Sequence, residues 1–337
     1  MQLADDLLAG NRRALARAIS LVEDGGAGAH AALAALYAQT GRSHVIGVTG
    51  APGTGKSTLV NALARVYRRL GQSVGIIAVD PTSPFSGGAL LGDRVRMRDL
   101  AGDPGVFIRS MATRGSLGGL AKATADVILI LDAAGFDRIL VETVGVGQAE
   151  VEIASAAHTT IVVEAPGLGD EIQAIKAGIL EIADLFAVNK ADHEGADRTV
   201  AALHMMQGLA SSSASGGGHH GAKSAHGAAP PEPGPQPDGS WLPPIVKSVA
   251  TRGEGASDLR KWIEIHRTHL HETGLLAQRE TTRARAELEH ILCDELRSRL
   301  LARLPDGRLI ELAAAVAHRE VDPYSAVDRL LAEQGLS

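Results

Sequence analysis

One run of nine residues limits this chain more than any other: Gly50-Ala51-Pro52-Gly53-Thr54-Gly55-Lys56-Ser57-Thr58. It fits G-x-x-x-x-G-K-[ST], the pattern of a phosphate-binding loop between a strand and a helix. Val45–Val48 before it reads as a short buried strand, and Thr58 to Ala64 after it as the start of a helix. Glycines let the backbone curl until successive N–H groups face one anion. The helix N-terminus adds partial positive charge. Gly50, Pro52, Gly53, Thr54, Gly55, Lys56, Ser57 and Thr58 are therefore the candidate nucleotide contacts. Lys56 is expected to reach the β- and γ-phosphates, and the Ser57 hydroxyl to ligate Mg²⁺.

At 337 residues the chain has room for two domains, or for one large domain with extensions. Its hydrophobic fraction of 45% supports a real core, and 3% aromatics make that core mostly Ala, Val, Leu and Ile. A net charge of -6 gives no electrostatic support for nucleic-acid binding. The single cysteine, Cys293, excludes an internal disulfide framework and a cysteine-based metal cluster, and a cytoplasmic location is expected. The opening residues carry early acids and no apolar h-region, so no signal peptide is expected. No apolar run reaches about 18 residues, so no membrane span is expected either.

Residues 1–42 read as a helical extension packed on the next domain, with a break at Gly25-Gly26-Ala27-Gly28. Residues 43–272 read as one domain, in which residues 43–205 alternate strands with helices, and this argues an α/β fold with a mostly parallel sheet covered on both faces. The strand candidates are Val45–Val48, Ser73–Val79, Arg138–Val141, Thr159–Val163, Leu185–Val188 and a last one at Pro244–Ser248. Ligands in such sheets lie beyond the carboxyl ends of the strands. Gly50, Asp80, Glu142, Glu164 and Asn189 all stand just after a strand. Residues 210–240 are rich in Ser, Gly and Pro and read as a flexible insertion, with His219, His220 and His226 as solvated linker residues. Residues 273–337 read as a helical arm. Ala284, Leu288, Leu292, Leu296, Leu300 and Leu304 recur every four residues, a stripe that must be buried somewhere, and a second copy of the chain is the expected partner.

A phosphate-binding loop of this kind needs another carboxylate near the metal and a sensor of the γ-phosphate. Arg138 to Gln148 supplies both, as an apolar strand ending in Glu142 followed by a Gly-rich loop. Glu142 is a candidate metal ligand and the Gly145 N–H a candidate γ-phosphate contact. Asp80 and Asp93 are further candidate acids around Mg²⁺. Arg94, Arg96 and Arg98 are candidate phosphate-facing cations, with Arg96 counted among the catalytic candidates beside Lys56, Glu142 and Gln148. Gln148 is the candidate to orient water, and no strong general base is evident. Asn189-Lys190-Ala191-Asp192 is N-K-x-D. The Asp192 carboxylate can accept from guanine N1–H and N2–H₂, donors that adenine lacks at those positions. Asn189 would brace the loop, the Lys190 stem would cover the base, and a backbone N–H of Ser248-Val249-Ala250 would meet guanine O6. Together these argue GTP rather than ATP.

In order, Gly50–Thr58, Asp80-Pro81-Thr82-Ser83-Pro84, Glu142 to Gln148, Pro166 to Lys176 and Asn189–Asp192 closely resemble the MeaB/ArgK family, GTPases of the SIMIBI class related to the metallochaperone GTPases. The resemblance covers nearly the whole chain, and the 210–240 segment departs from it. It implies a P-loop NTPase fold and a homodimer formed through the C-terminal arm. It also implies a chaperone role toward an adenosylcobalamin-dependent acyl-CoA mutase, typically methylmalonyl-CoA mutase. GTP hydrolysis would gate cofactor loading and the exchange of damaged cobalamin, with adenosylcobalamin held only by the partner. By motif position, Asp80, Asp93 and Glu142 take metal-sphere roles, and Asp170, Gln173 and Lys176 fall in an additional switch that relays nucleotide state to the mutase. Two other readings exist. A kinase of a transport protein, an older label for ArgK relatives, is opposed by Asn189–Asp192. A metal-insertion GTPase would need Cys or His ligands near the switches.

Overall fold

Alternation along each strand decides how this chain layers. In the computed structural model, which describes residues 2–25, 27–80, 98–100, 102–112, 119–143, 155–167, 181–214 and 232–335, Val45 and Ile46 face opposite ways, as do Leu140 and Val141. A strand buried on both faces needs a helical layer on each. One layer comprises α1 (Gln2–Leu8), α2 (Arg12–Asp24), α3 (Ala27–Leu36), α5 (Gly119–Ala133) and α6 (Ala196–Ala214). The other comprises α4 (Lys56–Arg69) and α7 (Ala256–Glu272), which pack Leu59, Leu63, Tyr67, Leu259 and Ile263 onto the sheet.

The sheet has seven parallel strands: β1 (His44–Thr49), β2 (Val74–Asp80), β3 (Val106–Ala112), β4 (Arg138–Glu142), β5 (Thr159–Glu164), β6 (Leu185–Val188) and β9 (Ile245–Lys247). Their order is β3-β2-β4-β1-β5-β6-β9. Val48 pairs with Glu142 on one side and Ile161 on the other, so β1 lies at the centre. The chain leaves β1 toward β2, and it leaves β4 by crossing to β5 on the far side of β1. The crevice between such diverging connections is where open α/β sheets bind ligands.

The expected strands all form, and β3 is added to them. Its Arg109-Ser110 pair interrupts an apolar run, so it does not read locally as a buried strand. Arg109 faces α2, where its Nε donates to Glu23 Oε1 at 2.8 Å. The N-terminal helices thus both cover the sheet and satisfy its polar edge residue. Asn11 starts α2 by accepting from the Arg13 and Ala14 N–H groups. The extended Gly41–Ser43 link into β1 is pinned to α5. The Asp132 carboxylate accepts from the Gly41, Arg42 and Ser43 N–H groups at 2.5, 3.1 and 2.8 Å.

Regular structure lies within the stretch that composition marks as an insertion. Beyond residues 215–231, which lie outside the described ones, β7 (Gly234–Pro235) and β8 (Trp241–Leu242) form a small antiparallel hairpin. Trp241 anchors it. The indole N–H donates to Asp184 O at 2.7 Å, and the ring lies 4.7 Å from that of His266 and 6.4 Å from that of Trp262. One half-buried aromatic with a satisfied N–H outweighs the turn-rich sequence around it.

Beneath this hairpin, at the amino ends of the strands, His44, Thr159 and His266 form a buried chain. The Thr159 hydroxyl lies 2.9 Å from a ring nitrogen of each histidine, and His266 Nε2 lies 3.2 Å from Asp184 Oδ1. Burial, aided by His158, Arg267, Arg138 and His266, holds the His44 pKa well below its usual value of 6.5. The unfolded chain therefore binds this proton more readily than the folded one. The contribution of neutral His44 is fully present above about pH 6.5 and is lost as pH falls toward the depressed folded pKa. The slope approaches about 1.4 kcal/mol per pH unit. Urea titrations from pH 7.5 to 5 should show a steeper loss for the native protein than for His44→Gln. Parallel pH dependences would contradict this assignment.

The chain forms two compact units, Met1–Leu276 and Ala277–Ser337. The second unit contains most of α8 (Leu275–Arg303), then α9 (Arg308–Ala317) and α10 (Pro323–Glu333). Its small core joins Leu312, Ala326 and Leu330. Asp322 caps α10 by accepting from the Tyr324 and Ser325 N–H groups, with Pro323 at the first helical position. No residue of α8 is buried, and Leu288, Leu292 and Leu296 are 68%, 57% and 58% exposed. Among the described residues no helix is long and apolar enough to cross a membrane.

Candidate functional site

The site lies at the carboxyl end of the central strand. After Thr49 the chain turns through Gly50–Gly55 into α4. Gly50 has φ +136°, and a Cβ there would lie 2.1 Å from the Val163 carbonyl oxygen of β5. Gly55 has φ +90°, and its Cβ would lie 2.4 Å from Asn189 Nδ2. These two glycines let the loop lie flat on the ends of β5 and β6. Gly50→Ala adds backbone strain to a collision with a carbonyl that belongs to a central strand and cannot move aside. A loss of about 3 kcal/mol or more is expected, read as a fall in the urea midpoint. A change below about 1 kcal/mol would mean the loop is not held in this conformation.

Lys56, the first residue of α4, is buried at 6% exposure. Its ammonium donates to the carbonyls of Gly50 and Ala51 at 2.8 and 3.0 Å, so the side chain lies back along the loop. The next residue, Ser57, donates from Oγ to Glu142 Oε1 at 2.5 Å, and both groups are buried. Glu142 is the last residue of β4, next to β1, which brings it to the loop from 85 residues away in sequence. Thr143 follows, with its hydroxyl donating to Thr49 Oγ1 at 3.0 Å and its N–H to Val48 O at 3.1 Å. This buried threonine pair ties the ends of β1 and β4 together. Sequence reading passed over it, because a lone Thr after a strand carries no signal of its own.

The N-K-x-D segment leaves β6 on the other side of the loop. The Asn189 amide donates to Thr54 O at 2.8 Å, and its oxygen accepts from the Ala250 N–H at 3.0 Å and the Ser248 hydroxyl at 3.3 Å. One side chain thereby fastens the phosphate-loop segment to the loop after β9. Lys190 has φ +55°, a conformation rare for a non-glycine residue, and the Ala191 N–H after it donates to Ser248 O at 3.0 Å. Asp192 is at the surface, with Arg252 Nη1 3.6 Å from Oδ2.

The loop after β9 differs from expectation in one respect. The Ser248, Val249 and Ala250 N–H groups donate to Val188 O, Glu254 O and Asn189 Oδ1. All three are committed inside the protein, so a base oxygen placed there must compete for one of them. Pro52 and Gly53 are exposed at the tip of the phosphate loop, Thr54 is buried, and Thr58 is half-buried in the first turn of α4. Asp80 closes β2 at the same end of the sheet. Arg98 opens a short 3₁₀ turn, Arg98–Leu100. Asp93, Arg94, Arg96, Gly145, Gln148, Asp170, Gln173 and Lys176 lie outside the described residues.

The structure thus brings together Gly50 to Ser57, Glu142, Asn189 and the Ser248–Ala250 loop at one end of one sheet. Hydroxyl and carboxylate oxygens at Ser57 and Glu142 are hard donors of the kind Mg²⁺ takes, and the glycine loop leaves no room for side chains against the backbone. Among the described residues no group of three or more His, Cys, Asp or Glu side chains is placed to hold a metal ion by protein ligands alone.

Comparison with known proteins supports the same reading. A protein of Pyrococcus abyssi designated a candidate GTPase is 45% identical over 332 residues, covering 98% of this chain and 96% of its own length. The GTPase ArgK of Escherichia coli is 42% identical over 203 residues, 59% of this chain and 61% of its own. The crystal structure of a LAO/AO transport system kinase superposes with a TM-score of 0.67 at 26% identity, covering 98% of this chain and 95% of that one. The sequence pattern of the family described as methylmalonyl Co-A mutase-associated GTPase MeaB matches residues 15–304. The chain belongs to the MeaB family of GTPases, with a P-loop NTPase fold.

Proposed function

We propose that this GTPase binds GTP with Mg²⁺ between the Gly50–Ser57 loop and Asn189–Asp192, and that hydrolysis times its action on an adenosylcobalamin-dependent acyl-CoA mutase. The observation that carries the site is the Asn189 clasp. It fastens the phosphate loop to the segment bearing Asp192, which supports one ligand spanning both. A bound Mg²⁺ would supply positive charge to offset that of the phosphates. Ser57 and Glu142 would hold it, with Asp80 and Asp93 as the further acids. Lys56 would turn from the Gly50 and Ala51 carbonyls to the β- and γ-phosphates, exchanging two neutral acceptors for charged ones. The loop N–H groups and Gly145 would take the remaining phosphate oxygens. Arg96 would add charge to the transition state, and Gln148 would orient the attacking water. Asp192 would accept from guanine N1–H and N2–H₂ while the Lys190 stem covers the base.

The mutase assignment is supported by the family description, which names association with methylmalonyl-CoA mutase. Asp170, Gln173 and Lys176 are assigned to the switch that carries nucleotide state to that partner, and the role is chaperoning: loading, protection and reactivation of the cobalamin enzyme. The exposed Leu288, Leu292 and Leu296 stripe on α8 supports a homodimer, since three large apolar side chains in one row on a helix are costly in water. On this reading residues 1–42 are an extension of a GTPase domain, 43–272, and residues 273–337 form the dimerisation arm. The protein acts in the cytoplasm, without nucleic acid or membrane.

Capture from native lysate with a non-hydrolysable GTP analogue tests the reading. Recovery of an acyl-CoA mutase carrying cobalamin, and a rise in GTP turnover when purified mutase is added, are expected. Recovery of no cobalamin enzyme would overturn the partner assignment while leaving the GTPase intact. A kinase reading is favoured by one observation, the likeness to the LAO/AO transport system kinase, and it requires phosphate transfer to a protein and equal use of ATP.

A further inference from the structure

The turn after β9 carries a charged pair that the site reading above leaves unused. Ala250–Arg252 forms a single 3₁₀ turn, closed by Gly253 at φ +73° and by an antiparallel bridge between Val249 and Glu254. Gly255 backs it tightly: a Cβ there would lie 2.3 Å from Lys247 O. Arg252 therefore projects from a rigid platform. Its Nε lies 2.8 Å from Glu254 Oε1, and its Nη1 lies 3.6 Å from Asp192 Oδ2. Glu254, Arg252 and Asp192 form a row of alternating charge, and the first residue of the same turn, Ala250, donates its N–H to Asn189.

We propose that Arg252 is a positioning residue for guanine recognition, held by Glu254 so that it fixes the orientation of the Asp192 carboxylate. This rests on the base-reading role assigned to Asp192 above. A carboxylate at the surface rotates freely and meets two adjacent donors only in one orientation. It offers about four lone-pair directions, two of which suffice for guanine N1–H and N2–H₂. An arginine 3.6 Å from Oδ2 restrains the rotation of the carboxylate, leaving its other directions for the base, and lowers the ordering cost at binding. Asn189 and Asp192 are then both seated on one turn, Asn189 through a backbone N–H and Asp192 through a guanidinium.

The discriminating measurement is the affinity of the full-length protein for GDP, IDP and ADP with Mg²⁺. IDP lacks the 2-amino group, so the GDP:IDP ratio reports the second hydrogen bond to Asp192. In Arg252→Ala this ratio is expected to fall about 3- to 5-fold, the scale of a part-exposed ion pair. The melting temperature and ADP affinity should stay near wild-type values. Loss of net positive charge would weaken all three diphosphates alike and leave the ratio unchanged. Glu254→Gln should lower the ratio less, and Arg252→Lys should restore part of it, because a lysine keeps the charge but cannot fork between two carboxylates. A wild-type ratio in Arg252→Ala overturns the proposal. A wild-type protein that binds ADP as tightly as GDP overturns the guanine reading itself, and this appears before any variant is made.

Discussion

Lys56→Ala should cut GTP turnover by about 10²- to 10³-fold, the scale seen when one preorganised charge donor is removed from a transition state. The side chain is buried, so its charge acts where water screens little. It starts α4 at the loop, and its ammonium lies against the loop carbonyls. The Gly50 and Ala51 carbonyls also lose their ammonium donor, so the melting temperature is measured alongside turnover to separate lost stability from lost chemistry. Lys56→Arg should not restore turnover, because a planar fork does not fit where a point charge is cradled. Single-turnover hydrolysis with saturating Mg²⁺ is the measurement. A loss below about 10-fold would place the charge stabilisation elsewhere.

Asp192→Asn should weaken GDP binding at least about 100-fold. A carboxylate accepts from both donor groups on that edge of guanine, whereas a carboxamide presents an N–H group to one of them and leaves a mismatched pair. The same change should favour xanthosine diphosphate, whose ring carries an acceptor oxygen in place of the 2-amino group. Asp192 lies at the surface, so the substitution should leave stability within about 0.5 kcal/mol. Competition titrations with both diphosphates check it. Unchanged GDP affinity would remove Asp192 from the base site and, with it, the argument for GTP over ATP from N-K-x-D.

Local signals and long-range contacts divided the work of specifying this molecule. The phosphate loop reads directly because its requirements are local: glycines at positive φ, then Lys-Ser at a helix start. The parallel sheet reads from strands that are apolar on both faces. The break at Gly25 reads because glycine takes φ +76° at no steric cost. What stayed hidden needed a partner far along the chain. Arg109 hides β3, since its charge is matched by Glu23 on α2, 86 residues earlier. The hairpin at 234–242 is hidden by glycine and proline until Trp241 is seen against Trp262 and His266. Arg252 looks like any turn arginine until the 3₁₀ turn brings it to Asp192.

Candidate chemistry by residue type was therefore written in the sequence: a phosphate-loop pattern, an acid after a strand and an N-K-x-D segment. Residue order alone could not say that Glu142 meets Ser57, that Asn189 grips Thr54 and Ala250 together, or that each N–H of Ser248–Ala250 is already committed. Those facts follow from placing β4 and β5 on either side of β1, with β6 and β9 beyond β5. The physical reason is that motifs depend on backbone conformation over a few residues, which local sequence governs. A hydrogen bond between residues 60 to 135 positions apart depends on which strands pair, and pairing is decided by burying both faces of the whole sheet at once.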